Sequence, residues 1–298
     1  MNYPRILAAL RSARWAVQPS TLQAIYDSLG AHLRGQLPNH LPGLPNIVDF
    51  KVSRTSPEVL ESIATAAPAP GQPRPSPVAV ISVHGIIGKH LSSLETMCGG
   101  CDLDEVEEDL RAAMADPNTK AILLDINSPG GTVTGVPELA AKIAEWNQQK
   151  RIYAFCDSLC ASAAYWLASS CEAIAITLTA DVGSIGVYMA LVDDSEWWQK
   201  EGYKLVLVKA GEHKADGISG QPVSDSAIAR WQGEVDAIYQ MFTSAVTTGR
   251  AGVPNDVMQG QTLMGQAAVA ALLADEIVPD LPTYLAAIET EHAGAASA

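Results

Sequence analysis

The feature that most constrains this chain is a regular alternation of short apolar runs with helix-like stretches after residue 77. Each run has the length of a buried strand, and turn or helix sequence separates it from the next. The runs are PVAVISV, KAILLDI, RIYAFC, AIAITL and YKLVLV. Such alternation predicts βαβ units, so we expect an α/β fold with a mainly parallel sheet and flanking helices.

The helix-like stretches and the chain ends complete the predicted organisation. Apolar residues at spacings of three and four predict helices over residues 103–114, 136–146, 161–169, 224–248 and 265–273, and an N-terminal helical arm over residues 1–36. Residues 37–77 are rich in Pro, Ala, Ser and Gly, which predicts an extended linker. We expect the main domain to span 78–280, with a helix end and flexible tail over 281–298.

Charge and composition narrow the function classes. The 298 residues carry a formal net charge of −14 with only 19 Lys and Arg, which disfavours binding to nucleic acid. No apolar run is long enough for a membrane span or a secretory signal, so we expect a cytoplasmic protein. Five cysteines without an export signal argue against a disulfide framework.

A glycine pair follows the second predicted strand. The sequence there is Asn127-Ser128-Pro129-Gly130-Gly131, at an expected strand-to-helix turn. Two glycines let backbone N–H groups approach a ligand closely, as an oxyanion hole requires. A glycine turn is also an ordinary structural feature, so the motif alone leaves both interpretations open.

A serine among alanines follows the third predicted strand. Ser162 lies at the expected start of a helix, where small neighbours leave its hydroxyl accessible. The alternative is an N-cap serine with no chemical role.

A nucleophilic serine needs a base. His84 and His90 flank a Gly-rich turn and show no partner carboxylate in the sequence around them, so His213 is the one credible histidine for a triad. Beside it stands Lys214, after the YKLVLV run. A lysine acts as a base only where burial or neighbouring charge lowers its pKa, and local sequence does not decide this.

Cys98 and Cys101 have the spacing of a zinc-binding or redox pair. The other close pair, Cys156 and Cys160, lies beside Ser162, and no His-x-His pattern accompanies either pair. We therefore predict no metal and no cofactor.

These segments together resemble the signal peptide peptidase A family of serine peptidases, which share the Clp protease/crotonase fold. The matches cover roughly residues 78–278 and run in the family's order. They are residues 78–85, 128–131, 160–165, 181–187 and 211–214. The combination is specific, although no single motif is.

The resemblance implies a role for each matched residue. Ser162 corresponds to the nucleophile and Lys214 to the general base of a Ser–Lys dyad. Gly130 or Gly131, with the N–H of Ala163, corresponds to the oxyanion hole, and Ser184 to the hydroxyl that orients the lysine. The resemblance also implies a ring-like homo-oligomer that completes each active site.

Two departures and one further likeness qualify the match. Ala163-Ala164 stand where many members have glycines, and Leu272-Leu273-Ala274-Asp275 stand where the family commonly shows Gly-Leu-Val-Asp. The segment Arg14 to Val17, followed by Pro19, resembles the leader of phage-encoded members. That likeness implies protein partners in head assembly: capsid, scaffold or portal proteins, and the chain itself.

Other functions share parts of this pattern. A crotonase-like acyl-CoA enzyme would share the fold and the glycine turn, but it does not need both Ser162 and Lys214, and the acidic chain offers no evident basic cluster for the CoA phosphates. A catalytically silent capsid component and a cytoplasmic bacterial peptidase are further alternatives. The resemblance implies a serine endopeptidase in phage head assembly.

Overall fold

Strands and helices alternate along the described part of the chain, which in this computed structural model comprises residues 15–17 and 76–294. The strands are β1 (Trp15–Val17), β2 (Val78–His84), β3 (Ile86–Gly88), β4 (Gly100–Asp102), β5 (Ala121–Asn127), β6 (Gly130–Thr132), β7 (Ile152–Cys156), β8 (Leu159–Ala161), β9 (Ile174–Ile176), β10 (Asp181–Gly183), β11 (Thr262–Met264) and β12 (Glu276–Ile277). The helices are α1 (Ser93–Met97), α2 (Leu103–Ala115), α3 (Val136–Asn147), α4 (Ala163–Ala168), α5 (Ser195–Lys200), α6 (Asp225–Gly249), α7 (Gly265–Ala270) and α8 (Leu281–Gly294).

The central sheet has five strands in the order β12-β9-β7-β5-β2, and all of its pairings are parallel. Successive residues of β5 point to opposite faces, so Ile122 and Leu124 join one buried cluster and Leu123 joins another. Both faces are therefore covered, as is usual for a parallel sheet. The predicted α/β architecture of the Clp protease/crotonase fold is confirmed.

Helices cover the two faces of this sheet. Asp102 caps α2, its carboxylate accepting a hydrogen bond from the Asp104 backbone N–H. On one side the short α4 is wholly buried, and its Trp166 stacks on Phe242 of α6 with ring centroids 4.4 Å apart. On the other side α8 packs through the buried Tyr284 and Ile288. The helix end predicted after residue 280 is thus a packed helix to Gly294.

Two smaller sheets stand beside the central one. One has the order β1-β6-β3-β4, with β1 antiparallel to β6 and the other pairs parallel. The other has the order β11-β10-β8, with β8 and β10 parallel. A parallel bridge between Ser128 and Cys160 links the segments that lead into β6 and α4. Gly130 and Gly131 lie in β6, and Ser162 and Ser184 directly follow β8 and β10.

The structure corrects two predictions. The run YKLVLV is not a strand: residues 203–208 have no regular structure, and Val206 and Val208 are 74% and 100% exposed. No described strand pairs with this run, so its β-forming side chains have no surface to cover. Within the predicted helical arm, Trp15–Val17 is a strand because it pairs with β6.

The rest of the predicted arm and almost all of the predicted linker lie outside the described residues. Four predicted strands are present as β2, β5, β7 and β9, and all five predicted helices between the strands are present within a few residues. No helix among the described residues combines the length and apolar character needed to span a membrane.

Candidate active site

Ser162 stands between β8 and α4 in a strained backbone conformation. Its φ is 56° and its ψ is −119°, a region that non-glycine residues rarely occupy. Its backbone N–H donates to the Gly183 carbonyl at 2.7 Å, and its own carbonyl accepts from the Trp166 N–H at 2.9 Å. Such strain costs about 1–3 kcal/mol and persists only where the surroundings enforce it.

The Ser162 side chain does not act as a helix cap. Although Ser162 occupies the N-cap position of α4, its hydroxyl makes no capping hydrogen bond. It donates instead to the Gly186 carbonyl over a long 3.5 Å, and the residue is only 1% exposed. The alternative of an ordinary N-cap serine therefore loses its main support, because capping would require a bond to a backbone N–H of α4.

Ser184 lies beside Ser162. β8 and β10 pair in parallel with Ala161 opposite Gly183, and each serine is the next residue after its strand. Ser184 is also buried and has a positive φ of 52°. Neighbouring strands lie about 4.8 Å apart, so two serines at equal register positions are close neighbours. The structure thus brings together two of the predicted site residues.

The glycine turn is tied to the same place through Ser128. The Ser128 hydroxyl donates to the Gly85 carbonyl at 2.6 Å and accepts from the Gly130 N–H at 3.2 Å. The Ser128 backbone N–H donates to Leu159 and its carbonyl accepts from Ala161, at 2.7 and 3.0 Å. This fully buried serine therefore fixes the glycine turn relative to the strand that leads into Ser162. Sequence reasoning missed this role, although Ser128 belonged to the motif.

The two glycines differ in their surroundings. Gly130 has a φ of +94°, which favours glycine, and its N–H already bonds to Ser128. Gly131 has no room for a side chain, because a Cβ there would come within 1.9 Å of the Ile87 carbonyl oxygen. Ala163, the third predicted oxyanion residue, is the fully buried first residue of α4.

Lys214 belongs to a different segment, outside the strands and the helix that carry this cluster. It follows the irregular 203–208 run in an exposed turn, and its side chain makes no hydrogen bond or ion pair with any described residue. The nearby Asp216 contacts His213 at 3.0 Å and Arg230 of α6 at 3.4 Å, which anchors the turn. Within this chain, Ser162 and Lys214 are not in hydrogen-bond contact, and the dyad stays a prediction.

The histidines have carboxylate partners that the local sequence did not reveal. His84 Nε2 lies 3.0 Å from Asp125 Oδ2, and this hydrogen bond raises the pKa of His84 above its ordinary value. His90 contacts Asp104 at 2.5 Å. These partners come from tertiary contacts, because β2 and β5 pair with His84 opposite Asn127, two residues from Asp125, and Asp104 of α2 lies beside His90. Neither histidine bonds to Ser162, nor does His213.

The buried cysteines are poorly reactive. All five are free, and burial raises the pKa of the Cys101 and Cys156 thiols to about 12. A thiol with so high a pKa is a poor nucleophile and a poor metal ligand near neutral pH. Among the described residues, no group of three or more His, Cys, Asp or Glu is placed to hold a metal ion.

The divergent turn before β12 keeps an unusual backbone. Leu272 has a φ of +60°, which favours glycine, the residue that the family commonly has there. The buried Arg250 donates to both Asp275 carboxylate oxygens at 2.6 and 2.9 Å and to the Leu272 carbonyl. The Tyr165 hydroxyl donates to Leu273 at 2.9 Å. This turn therefore contacts α4 through the Tyr165 hydroxyl.

Comparison with known proteins finds a matching family and several relatives. Residues 144–289 match the model of peptidase family S49. The chain is 33% identical over 204 residues, 67% of its length and 40% of the relative, to the head-tail preconnector protein GP5 of Enterobacteria phage P21. It is 30% identical over 289 residues, 93% of its length and 63% of the relative, to the capsid assembly protease C of Escherichia phage lambda.

A bacterial relative matches a similar share of the chain. Protease 4 of Haemophilus influenzae is 29% identical over 217 residues, which cover 68% of this chain and 33% of that protein. The chain thus spans less than two thirds of the length of each of these relatives.

Proposed function

We propose, from the premise that this chain belongs to peptidase family S49, that it is a serine endopeptidase with Ser162 as nucleophile and Lys214 as general base. The observation that carries the proposal is Ser162 itself, a buried and backbone-strained serine whose hydroxyl is not used for capping. Strained residues of this kind cluster at functional sites.

The proposed reaction has two steps. The Ser162 oxygen attacks the peptide carbonyl carbon while its proton passes to the neutral amine of Lys214, and the lysine then gives that proton to the departing amine. Water, deprotonated by the same lysine, then attacks the resulting ester, and the lysine passes that proton to the departing Ser162 oxygen. Backbone N–H groups of Gly131 and Ala163 stabilise the oxyanion in both steps.

The general base must come from a neighbouring copy of the chain in this proposal. A lysine serves as a base only where burial lowers its pKa, and Lys214 is exposed on the single chain. The adjoining run is exposed as well, with Val206, Val208 and Tyr203 facing outward. An unpaired run of β-forming residues is a ready surface for pairing with another chain. Association through residues 203–208 would bury Lys214 beside the partner's serine.

The proposed substrates are proteins of the assembling phage head. This part rests on the names of two relatives, a head-tail preconnector protein and a capsid assembly protease. Capsid, scaffold and portal proteins, together with the chain itself, are the candidate substrates. The proposed place of action is the cytoplasm of the host cell.

Mixing two inactive variants tests both the dyad and whether its serine and lysine come from different copies of the chain. We expect Ser162→Ala and Lys214→Ala each to abolish hydrolysis and each to fold normally. If every site takes its serine and lysine from different copies, equal mixing restores about one quarter of the sites, because half the copies can supply each group. Lys209→Ala is the matched control, since Lys209 is an exposed lysine of the same segment and should keep full activity.

Labelling with a fluorophosphonate provides the chemical check. Wild type and Lys209→Ala should be labelled at Ser162, and Ser162→Ala should not. Mixed oligomers that form but stay inactive would show that Lys214 does not act across copies. Unlabelled wild-type protein would overturn the serine nucleophile.

A further inference from the structure

The strand β1 occupies the outer edge of β6. Its backbone runs antiparallel to β6, with Trp15 opposite Thr132, Ala16 opposite Gly131 and Val17 opposite Gly130. The other edge of β6 pairs with β3, so β1 covers the edge that would otherwise be open. An open strand edge binds extended peptides through main-chain hydrogen bonds, in the manner of an added strand.

This edge belongs to the glycine turn of the proposed active site. β6 begins at Gly130, and Ser128 fixes it to the segment that leads into Ser162. Gly130 and Gly131 carry no side chains, so the backbone of any extended peptide can approach this edge. A segment paired with these two glycines lies opposite Gly131, whose N–H the proposed mechanism assigns to the oxyanion, whereas the Gly130 N–H already bonds to Ser128.

We infer that residues 15–17 occupy the strand position of the substrate and act as an internal competitor for it. The inference rests on the proposed peptidase function. Binding of a substrate strand and release of β1 are then one exchange.

The energetics suit a displaceable strand. Three paired residues form few hydrogen bonds, each with a net contribution of about 0.5–1.5 kcal/mol. A tethered segment has an effective concentration in the millimolar range, so even weak pairing competes with substrate. Removing the competition should lower KM about 2- to 10-fold and leave kcat unchanged.

Proline substitutions in the intact chain test this inference. Successive N–H groups of a strand point to opposite sides, so only one of the Ala16 and Val17 N–H groups faces β6. Proline is tolerated on an edge strand where the N–H faces away, and it disrupts pairing where the N–H is bonded. Of Ala16→Pro and Val17→Pro, the variant whose replaced N–H faces β6 should have a lower KM and faster fluorophosphonate labelling. The variant whose replaced N–H faces away from β6 is the matched control.

A binding measurement separates this inference from the peptidase proposal. In a Ser162→Ala background, a fluorescent peptide with the sequence of residues 12–20 should bind the disrupting proline variant more tightly than the unmodified chain. This readout needs no catalysis. Equal peptide affinity and equal KM in the unmodified chain and both proline variants would overturn the internal competitor. If the disrupting variant binds the peptide more tightly but the wild-type chain is not labelled at Ser162, only the peptidase proposal is overturned.

Discussion

The two halves of the proposed dyad stand in opposite surroundings. The serine region, here β6, β8, β10, α4 and the 272–275 turn, has most of its residues buried and is cross-linked by side-chain hydrogen bonds to the backbone. The lysine segment, residues 203–216, has no helix or strand and exposes most of its side chains. Under the proposed function, one chain buries the nucleophile and presents the base on its surface. This difference is why we propose that a neighbouring copy supplies the base.

Two arginines give the strongest test of this contrast. Arg250 supports the serine region, is 8% exposed and binds both Asp275 oxygens. Arg230 holds the lysine segment through Asp216 and is much more exposed. We expect Arg250→Met to lower the free energy of unfolding by about 3 kcal/mol, because it removes several hydrogen bonds from a buried guanidinium to the Asp275 carboxylate and the Leu272 carbonyl. Arg230→Met should cost no more than about 1 kcal/mol.

Urea denaturation of the two variants measures both values. Equal losses would mean that the lysine segment is as firmly held as the serine region, and the contrast would fail. Arg250→Lys is a useful intermediate, since lysine keeps the charge but lacks the fork that engages both oxygens.

The buried serine that positions the glycine turn gives a smaller effect on stability. Ser128→Ala leaves the Gly85 carbonyl and the Gly130 N–H without their partner, which should cost about 1–3 kcal/mol. It should also lower kcat about 10-fold with little change in KM, less than the loss on removing an oxyanion donor itself.

Ser169→Ala is the matched control for this substitution. Ser169 is equally buried and donates one hydrogen bond, to the Trp166 carbonyl at 2.8 Å, at the far end of α4. Its removal should reduce stability by about 1 kcal/mol without changing kcat. Parallel losses of kcat in both variants would show that Ser128 acts through general stability alone.

The smallest expected effect is a pH dependence of the free energy of unfolding, caused by the His84–Asp125 pair. The hydrogen bond to Asp125 raises the pKa of His84 above 6.5, so the stabilisation is fully present below pH 6.5 and is lost as pH rises through the folded-state value. His84 is half exposed, and the contribution should stay below about 1 kcal/mol.

Unfolding free energies measured between pH 5 and 9 on wild type, His84→Gln and Asp125→Asn reveal this component. Either substitution should remove the same fall in stability on the alkaline side. A wild-type profile that both variants reproduce would rule out the ion pair as its source.

The long apolar runs were predictable, and the short strands around the site were not. Four runs became β2, β5, β7 and β9 because they pack on both faces of one sheet. β6, β8 and β10 have three residues each and contain glycine, cysteine and aspartate, so they show no periodicity. Their pairing, as between Gly183 and Ala161, joins positions far apart in the chain.

The errors have physical causes of the same kind. Residues 203–208 have the composition of a strand, but a strand needs a neighbour, and the described chain provides none. The residue type of Ser162 gives no sign of its positive φ. At position 272, the glycine that the family commonly has there indicates the positive φ of Leu272. Ser162, Ser184 and the glycine turn were found through their order along the chain, and Ser128 emerged only from its contacts.

The helix α6 connects the two contrasting regions. Phe242 stacks on Trp166 beside the nucleophile, and Arg230, twelve residues earlier, contacts Asp216 beside the lysine. Twelve residues of helix rise about 18 Å. If Lys214 acts in the active site of the neighbouring copy, the length of α6 between Arg230 and Phe242 sets the distance between one active site and the next. The spacing of active sites around the assembled ring would then be a property of one helix.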